Sequence, residues 1–125
     1  MNPENPVQER DWKYMRSIHD ELLHALCTQI HAGAVEIATR ATGNPHERYR
    51  ELYSYMDESN ERIVACFDDW RRSNIRLKIW MLRSAELLPD AHVEQLSEDL
   101  RAWLSCIEAD ELLGTRHRRR SPNNR

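Results

Sequence analysis

The sequence is poor in the residues that build turns and sheets. Only three of its 125 residues are glycine, whereas 31% are charged. Strands need frequent turns and β-branched cross-strand pairs, and this composition supplies few of either. The sequence therefore predicts an all-α protein. Because the chain is about one domain long, we expect a single helical domain over residues 1–114.

Long apolar runs and an export signal are missing as well. The first six residues, Met-Asn-Pro-Glu-Asn-Pro, contain neither a basic region nor an apolar core, and no apolar run is long enough to cross a bilayer. The three cysteines, Cys27, Cys66 and Cys106, show no Cys-x-x-Cys spacing. An odd number of cysteines without an export signal indicates reduced thiols. We therefore expect a cytoplasmic protein that does not enter the membrane.

The motifs of common catalytic centres do not occur in the sequence. It holds no Gly-x-Ser-x-Gly, no glycine-rich phosphate loop, and no cysteine in a motif that would fix a partnering histidine. Glu21 and His24 form one Glu-x-x-His, a motif that di-iron bundles need twice. These absences argue against an enzyme, and no cofactor is expected.

The sequence does contain the periodicity of amphipathic helices. The clearest helix start lies at Asn44, which can cap a helix, followed by Pro45 at the first position and Glu47 for a capping box. No glycine or proline then interrupts the chain before Pro89, so one long helix is predicted over 45–88. Its apolar residues recur near the heptad spacing of a coiled coil, at Tyr49, Leu52, Met56, Ile63, Phe67, Trp70, Leu77 and Met81.

A first helix is predicted over 6–42. Asn5 and Pro6 repeat the start pattern, and Gly43 supplies the left-handed residue that ends the helix. The tight turn before Pro45 then reverses the chain. The first two helices should therefore form an antiparallel hairpin.

A shorter third helix is predicted over 90–113, with Asp90 as its cap and Gly114 as its stop. Such a short helix cannot cover the whole apolar seam of a long hairpin. Soluble monomers rarely expose a seam of that length. We therefore expect an antiparallel helical bundle that a symmetric homodimer completes.

The segment after Asn74 carries more apolar residues than one helical stripe can hold. A single antiparallel neighbour would leave part of this segment exposed. Four side chains are the candidate contacts for a protein partner: Ile75, Ile79, Trp80 and Leu82. The first hypothesis is therefore a small regulator or adaptor that dimerises and binds a protein partner through an apolar helical groove.

Arginine-rich segments support a second hypothesis, a regulator that binds nucleic acid. The Arg71–Arg83 stretch contains no acidic residue, and Arg72, Arg76 and Arg83 share a helical face. These three side chains can meet phosphates, but they can equally pair with acidic residues of the third helix.

The C-terminal tail, residues 115–125, is the stronger candidate for nucleic-acid binding. It has no apolar residue, so disorder is predicted. Its arginines include Arg116, Arg118, Arg119 and Arg120. Residues 116–125 hold five arginines, which leaves 13 basic against 21 acidic residues, a charge of −8, for the rest of the chain. That acidic body would repel phosphate.

A third hypothesis is a metal-binding helical protein. Zinc-type ligands recur along one flank of the first helix, at Asp20, His24, Cys27 and His31. The outer two lie roughly 16 Å apart along the helix axis, so one ion can take only neighbouring members of the set. The same residues are also ordinary for a helix flank, with Cys27 as a small apolar side chain. We expect no stoichiometric metal.

Overall fold

A computed structural model of the chain describes the backbone of residues 7–120 and the side chains of residues 7–110. Within this range the structure is helical and contains no strand, as the composition predicted. The helices are α1 (Glu9–Ala38), α2 (Pro45–Phe67), α3 (Ile75–Ser84), α4 (Asp90–Val93) and α5 (Glu98–Arg120). None of the helices in the described range has the length and apolar character that a membrane span requires.

The first helix is shorter than the predicted range of 6–42. It ends at Ala38, where the Thr39 hydroxyl donates to the Val35 carbonyl at 2.7 Å. A threonine hydroxyl that binds the carbonyl four residues earlier competes with the helical pattern at a helix end. The predicted cap, Asn5, lies outside the described residues.

The start of α2 confirms the prediction. Pro45 is its first residue, and the Asn44 side chain accepts a hydrogen bond from the Glu47 amide at 2.8 Å. This bond satisfies one of the amides that the first helical turn leaves open. Gly43, just before the cap, has a φ of 81°, a left-handed conformation that glycine adopts without steric cost.

The predicted continuous helix over 45–88 is wrong, because α2 ends at Phe67. Asp68 and Asp69 follow at the negative end of the helix dipole, where acidic side chains are unfavourable. Asp69 adopts a φ of 61°, which aspartate tolerates better than most residues. The Asn74 side chain then fastens the loop by donating to the Asp69 carbonyl, at 2.8 Å.

The second half of the predicted long helix is α3, which packs back against the end of α2. The Lys78 amine donates to the Ala65 carbonyl at 2.7 Å and so satisfies an open acceptor in the last turn of α2. Cys66 lies buried beside this contact, and burial raises the pKa of its thiol, with Lys78 and Arg62 partly opposing the rise.

The predicted third helix over 90–113 is also divided. Asp90 begins the four-residue α4, and α5 begins separately after Ser97, whose hydroxyl lies 3.4 Å from the Leu100 amide. The residues Ser97-Glu98-Asp99 have the cap and acidic first turn of a helix start, so the sequence contained this signal. Gly114 does not stop α5, which extends through Arg120. Disorder was predicted over residues 115–125, but residues 115–120 continue α5, and residues 121–125 lie outside the described range.

The core surrounds the N-terminal two thirds of α1. Its apolar cluster draws on α1, the end of α2, α3, α5 and the segments between α3 and α5, and its last member on α1 is Ile30. Between Ile30 and Ser59, Ile37 is the one buried residue. The end of α1 and the first half of α2 therefore extend beyond the core. The largest fully buried apolar side chains are Met15, Leu26, Ile75, Ile79, Leu82, Leu96, Leu100 and Leu104.

Candidate interaction surface

Three of the four predicted partner contacts lie inside the chain's own core. Ile75, Ile79 and Leu82 have no exposed surface and belong to the core cluster together with residues of α1 and α5. Only Trp80 keeps part of its surface exposed. The prediction failed because it treated α3 as the end of a long hairpin rather than as a short helix folded into the core. These three side chains therefore cannot form a surface for a partner.

The basic stretch makes contacts within the chain. Arg83 lies 2.9 Å from Asp90 and 3.1 Å from Glu108 of α5, which is the pairing that the sequence left open as the alternative to phosphate binding. Arg72 donates to the Val7 carbonyl at 2.8 Å. Arg76 is mostly buried, with its guanidinium 5.2 Å from the centre of the Trp103 ring. The side chains of Arg116, Arg118, Arg119 and Arg120 lie outside the described set.

The zinc-type residues of α1 do not converge. His24, His31 and Asp20 are exposed, and Cys27 is half-buried. Among the described residues, no group of three or more histidine, cysteine or acidic side chains lies close enough to hold a metal ion. Asp20 instead bonds with the adjacent His19 at 3.0 Å, and this hydrogen bond lowers the pKa of the Asp20 carboxyl.

A row of exposed apolar side chains runs along α2, and we call it the α2 stripe. It consists of Tyr49, Tyr53, Met56 and Val64, which are 62%, 65%, 44% and 47% exposed. At 100° per residue, the four side chains fall within an arc of about 80°. The rings of Tyr49 and Tyr53 are 6.5 Å apart. Aromatic residues and methionine are typical of protein interfaces, so this row is the candidate interaction surface.

The α2 stripe is distinct from the face of α2 that packs on α1. Tyr55 marks the packed face, where its hydroxyl donates to the Ile30 carbonyl at 3.2 Å. Ser59 and Cys66 share that face and are buried. At 100° per residue, the two faces are centred about a third of a turn apart. The predicted heptad set put Tyr49, Met56 and Phe67 on one helical face, and the helical wheel agrees. Tyr49 and Met56 are exposed, whereas Phe67 is buried because the core covers the last turn of α2.

Charged residues of both signs lie along one flank of the α2 stripe. Arg50 stands near its N-terminal end, and Asp57 and Glu61 stand further along the same flank. All three are exposed. Within the part of the chain that the structure describes, none of the three takes part in an ion pair. These charges are therefore available to a partner.

No family model, curated protein or solved structure matches this chain.

One polar cluster joins α1 to α4. The Tyr14 hydroxyl donates to Nδ1 of His92 at 2.5 Å, and Nε2 of His92 donates to Glu21 at 2.8 Å. A tyrosine nucleophile needs a depressed pKa. Burial, followed by the charge of Glu21, instead raises the pKa of Tyr14. The cluster therefore suits a structural link between helices better than catalysis.

A second polar cluster joins α1 to the start of α5. Asp11 is 1% exposed, and its carboxylate accepts from the Ser97 amide at 2.8 Å and from the Ser97 hydroxyl at 2.6 Å. A carboxylate at a helix N-terminus satisfies an open amide and interacts favourably with the dipole. Sequence reasoning missed this cap because Asp11 and Ser97 are 86 residues apart.

Proposed function

We propose that this chain acts through protein–protein contact, as a regulator or adaptor that forms a homodimer through the α2 stripe and engages a protein partner as a dimer. The observation that carries the proposal is the exposure of two tyrosines and a methionine on one face of α2, beyond the core. An exposed apolar row of this kind on a soluble protein indicates an interaction site. The earlier hypothesis placed the contact on α3.

The contacts between α1 and α2 support an antiparallel hairpin. Positions later on α2 meet positions earlier on α1, as expected when two helices run in opposite directions. Two contacts between the helices follow this order, Ile30 with Tyr55 and His19 with Phe67. Arg40, just beyond the end of α1, continues it by pairing with Glu51.

The part of this helix pair beyond the core has apolar residues on more than one side. Ile37 is buried, while Tyr49 and Tyr53 point away from the hairpin contact. Two helices packed side by side bury only the one seam between them, so they leave Tyr49 and Tyr53 uncovered. Two such pairs, placed stripe against stripe, would form a four-helix bundle with a second buried seam.

The size of the α2 stripe agrees with a dimer interface. Tyrosine buries roughly 150–250 Å² when fully covered, so the exposed fractions of four tyrosines in a dimer correspond to roughly 400–600 Å². A specific interface buries about 1,200–2,000 Å² in total. The tyrosines thus supply about a third of the area, and Met56, Val64 and the charged flank lie in position to add to it.

The binding of nucleic acid has weaker support. Arg83 and Arg72 are engaged within the chain, and without the tail the charge is negative. The cytoplasmic location stays a prediction from the sequence.

Light scattering and sedimentation of purified protein at micromolar concentrations test the proposal. We expect a dimeric mass for the wild type and a monomeric mass for Tyr53→Glu, because two acidic side chains would be buried in the seam. Leu77→Glu is the matched control, since Leu77 is also an exposed apolar residue, at 54%, but lies on α3. It should remain dimeric. A monomeric wild type, or a dimer that Tyr53→Glu leaves intact, would contradict the proposal.

A further inference from the structure

We infer that the α2 stripe takes a second copy of this chain in an antiparallel, two-fold arrangement centred on Tyr53, with Arg50 of each chain facing the partner subunit's Asp57. This inference rests on the proposed self-association and adds its register and direction. Three features of the described residues support it: axial spacing, the shared flank, and the absence of other partners for the charges.

The axial spacing fits a two-fold axis at Tyr53. Along a helix with a rise of 1.5 Å per residue, Arg50 lies about 4.5 Å before Tyr53 and Asp57 lies about 6 Å after it. Two antiparallel helices that cross at Tyr53 therefore bring Arg50 and the partner subunit's Asp57 to within about 1.5 Å of the same level. Tyr49 and the partner subunit's Met56 also lie within about 1.5 Å of the same position along the helix axis, so the apolar residues of the two helices interleave.

The flank that carries the charges decides the direction of the helices. Arg50 and Asp57 lie at about 100° and 80° on the helical wheel when Tyr49 is set at 0°, on the same side of the stripe. In a two-fold antiparallel pair, the same flank of each helix faces its counterpart. In a parallel pair, the charged flank of one α2 would face the opposite flank of the partner's α2. In this protein that opposite flank is the side of α2 that packs on α1. Only the antiparallel arrangement places these opposite charges together.

The charges have no competing partners within the chain. Among the described residues, neither Arg50 nor Asp57 enters an ion pair. By contrast, Arg40, in the loop between α1 and α2, forms ion pairs with both Glu36 and Glu51. Glu61 lies one turn beyond Asp57 on the same flank and adds to the acidic end. The N-terminal end of this flank is basic and the later part is acidic, which is the pattern that a self-complementary antiparallel surface requires.

Complementary charge reversal tests the register. We would prepare Arg50→Glu and Asp57→Arg as separate full-length chains, one of them with an affinity tag that changes its mass. In each variant alone, like charges would face each other at both ends of the interface. In a mixed dimer of the two variants, opposite charges would face each other at both ends.

Sedimentation should show that each variant alone dissociates roughly 10-fold or more readily than the wild type. Native mass spectrometry of the mixture should show mainly the mixed dimer. The matched controls are Arg62→Glu and Glu58→Arg, which reverse exposed charges on the side of α2 away from the stripe. Their mixture should give the statistical ratio of dimers. Circular dichroism of every variant checks that the helices are intact.

Three other results would overturn the inference in different ways. If the wild type dimerises but the stripe variants behave like the controls, the antiparallel register is wrong and self-association stands. If the wild type stays monomeric at concentrations up to about 100 µM, both the register and the proposed homodimer fail. A dimer that Arg50→Glu strengthens would indicate a parallel or unrelated interface.

Discussion

The Tyr55 side chain crosses α1 at Gly33, and its hydroxyl occupies the space that a Cβ atom on Gly33 would need. From there the hydroxyl donates to the Ile30 carbonyl at 3.2 Å. A glycine inside a helix is less stable than alanine by about 1 kcal/mol. This cost is offset because the missing side chain lets α2 approach α1 closely enough for the tyrosine to bond with its backbone.

The Gly33–Tyr55 contact predicts that Gly33→Ala destabilises the fold when Tyr55 is present and stabilises it when Tyr55 is replaced by alanine. In the wild type, the substitution should destabilise the fold by about 1–2 kcal/mol, because Tyr55 must move and its hydrogen bond is lost. In a Tyr55→Ala background, the same substitution should stabilise the fold by about 0.5–1 kcal/mol through helix propensity. Urea denaturation of the four chains measures both values. Equal effects in the two backgrounds would show that the contact has no energetic consequence.

The buried carboxylate of Asp11 gives a second prediction. Asp11→Ala should lower the free energy of unfolding by about 3 kcal/mol, because the Ser97 amide and hydroxyl would both lose a charged acceptor in a buried site. Asp11→Asn should cost less, since its amide oxygen can still accept one of the two bonds. Asp110→Ala, at an exposed position on α5, should change stability by less than about 0.5 kcal/mol. A loss below about 1 kcal/mol for Asp11→Ala would mean that this link contributes little.

The raised pKa of Tyr14 predicts how stability depends on pH. Burial, and then Glu21, raise this pKa above the ordinary value of 10.0, so the unfolded chain loses the phenolic proton first as the pH rises. The stability from protonated Tyr14 is fully present below about pH 10 and is lost as the pH rises through the folded-state pKa. Tyr14→Phe should cost about 1 kcal/mol at pH 8, because His92 loses its donor.

Guanidinium denaturation of the wild type and Tyr14→Phe at several pH values tests this dependence. The difference between the two proteins isolates Tyr14 from lysines that titrate in the same range. We expect the difference to shrink as the pH rises above about 10. A difference that stays constant or grows would contradict the direction of the pKa shift.

The sequence predicted the parts of this fold that depend on local chemistry. Asn44 and Pro45 define the start of α2 through contacts within one turn, so neighbours in sequence were sufficient. The end of α2 was missed because no glycine or proline marks it. There the chain is turned by Asp69 and by a side-chain bond from Asn74, and both residue types also occur inside helices.

The candidate surface could not be predicted from periodicity alone. Tyr49, Met56 and Phe67 fit one heptad pattern, yet only Phe67 is buried. The difference arises because the core covers the last turns of α2 and leaves the first turns to α1 alone. That coverage depends on where α3 and α5 pack, which is information that the spacing of apolar residues in α2 does not contain.

The cap that Asp11 forms for α5 also has a consequence during synthesis. The Asp11 carboxylate leaves the ribosome 86 residues before its partner Ser97. At about 5–20 residues per second, the first helix waits roughly 4–17 seconds for the residue that will bind this carboxylate and for the start of α5, whose residues share the core with Met15. During that interval its apolar face is open to other chains, so a nascent copy of α1 is the part of this protein most exposed to chaperones and to aggregation.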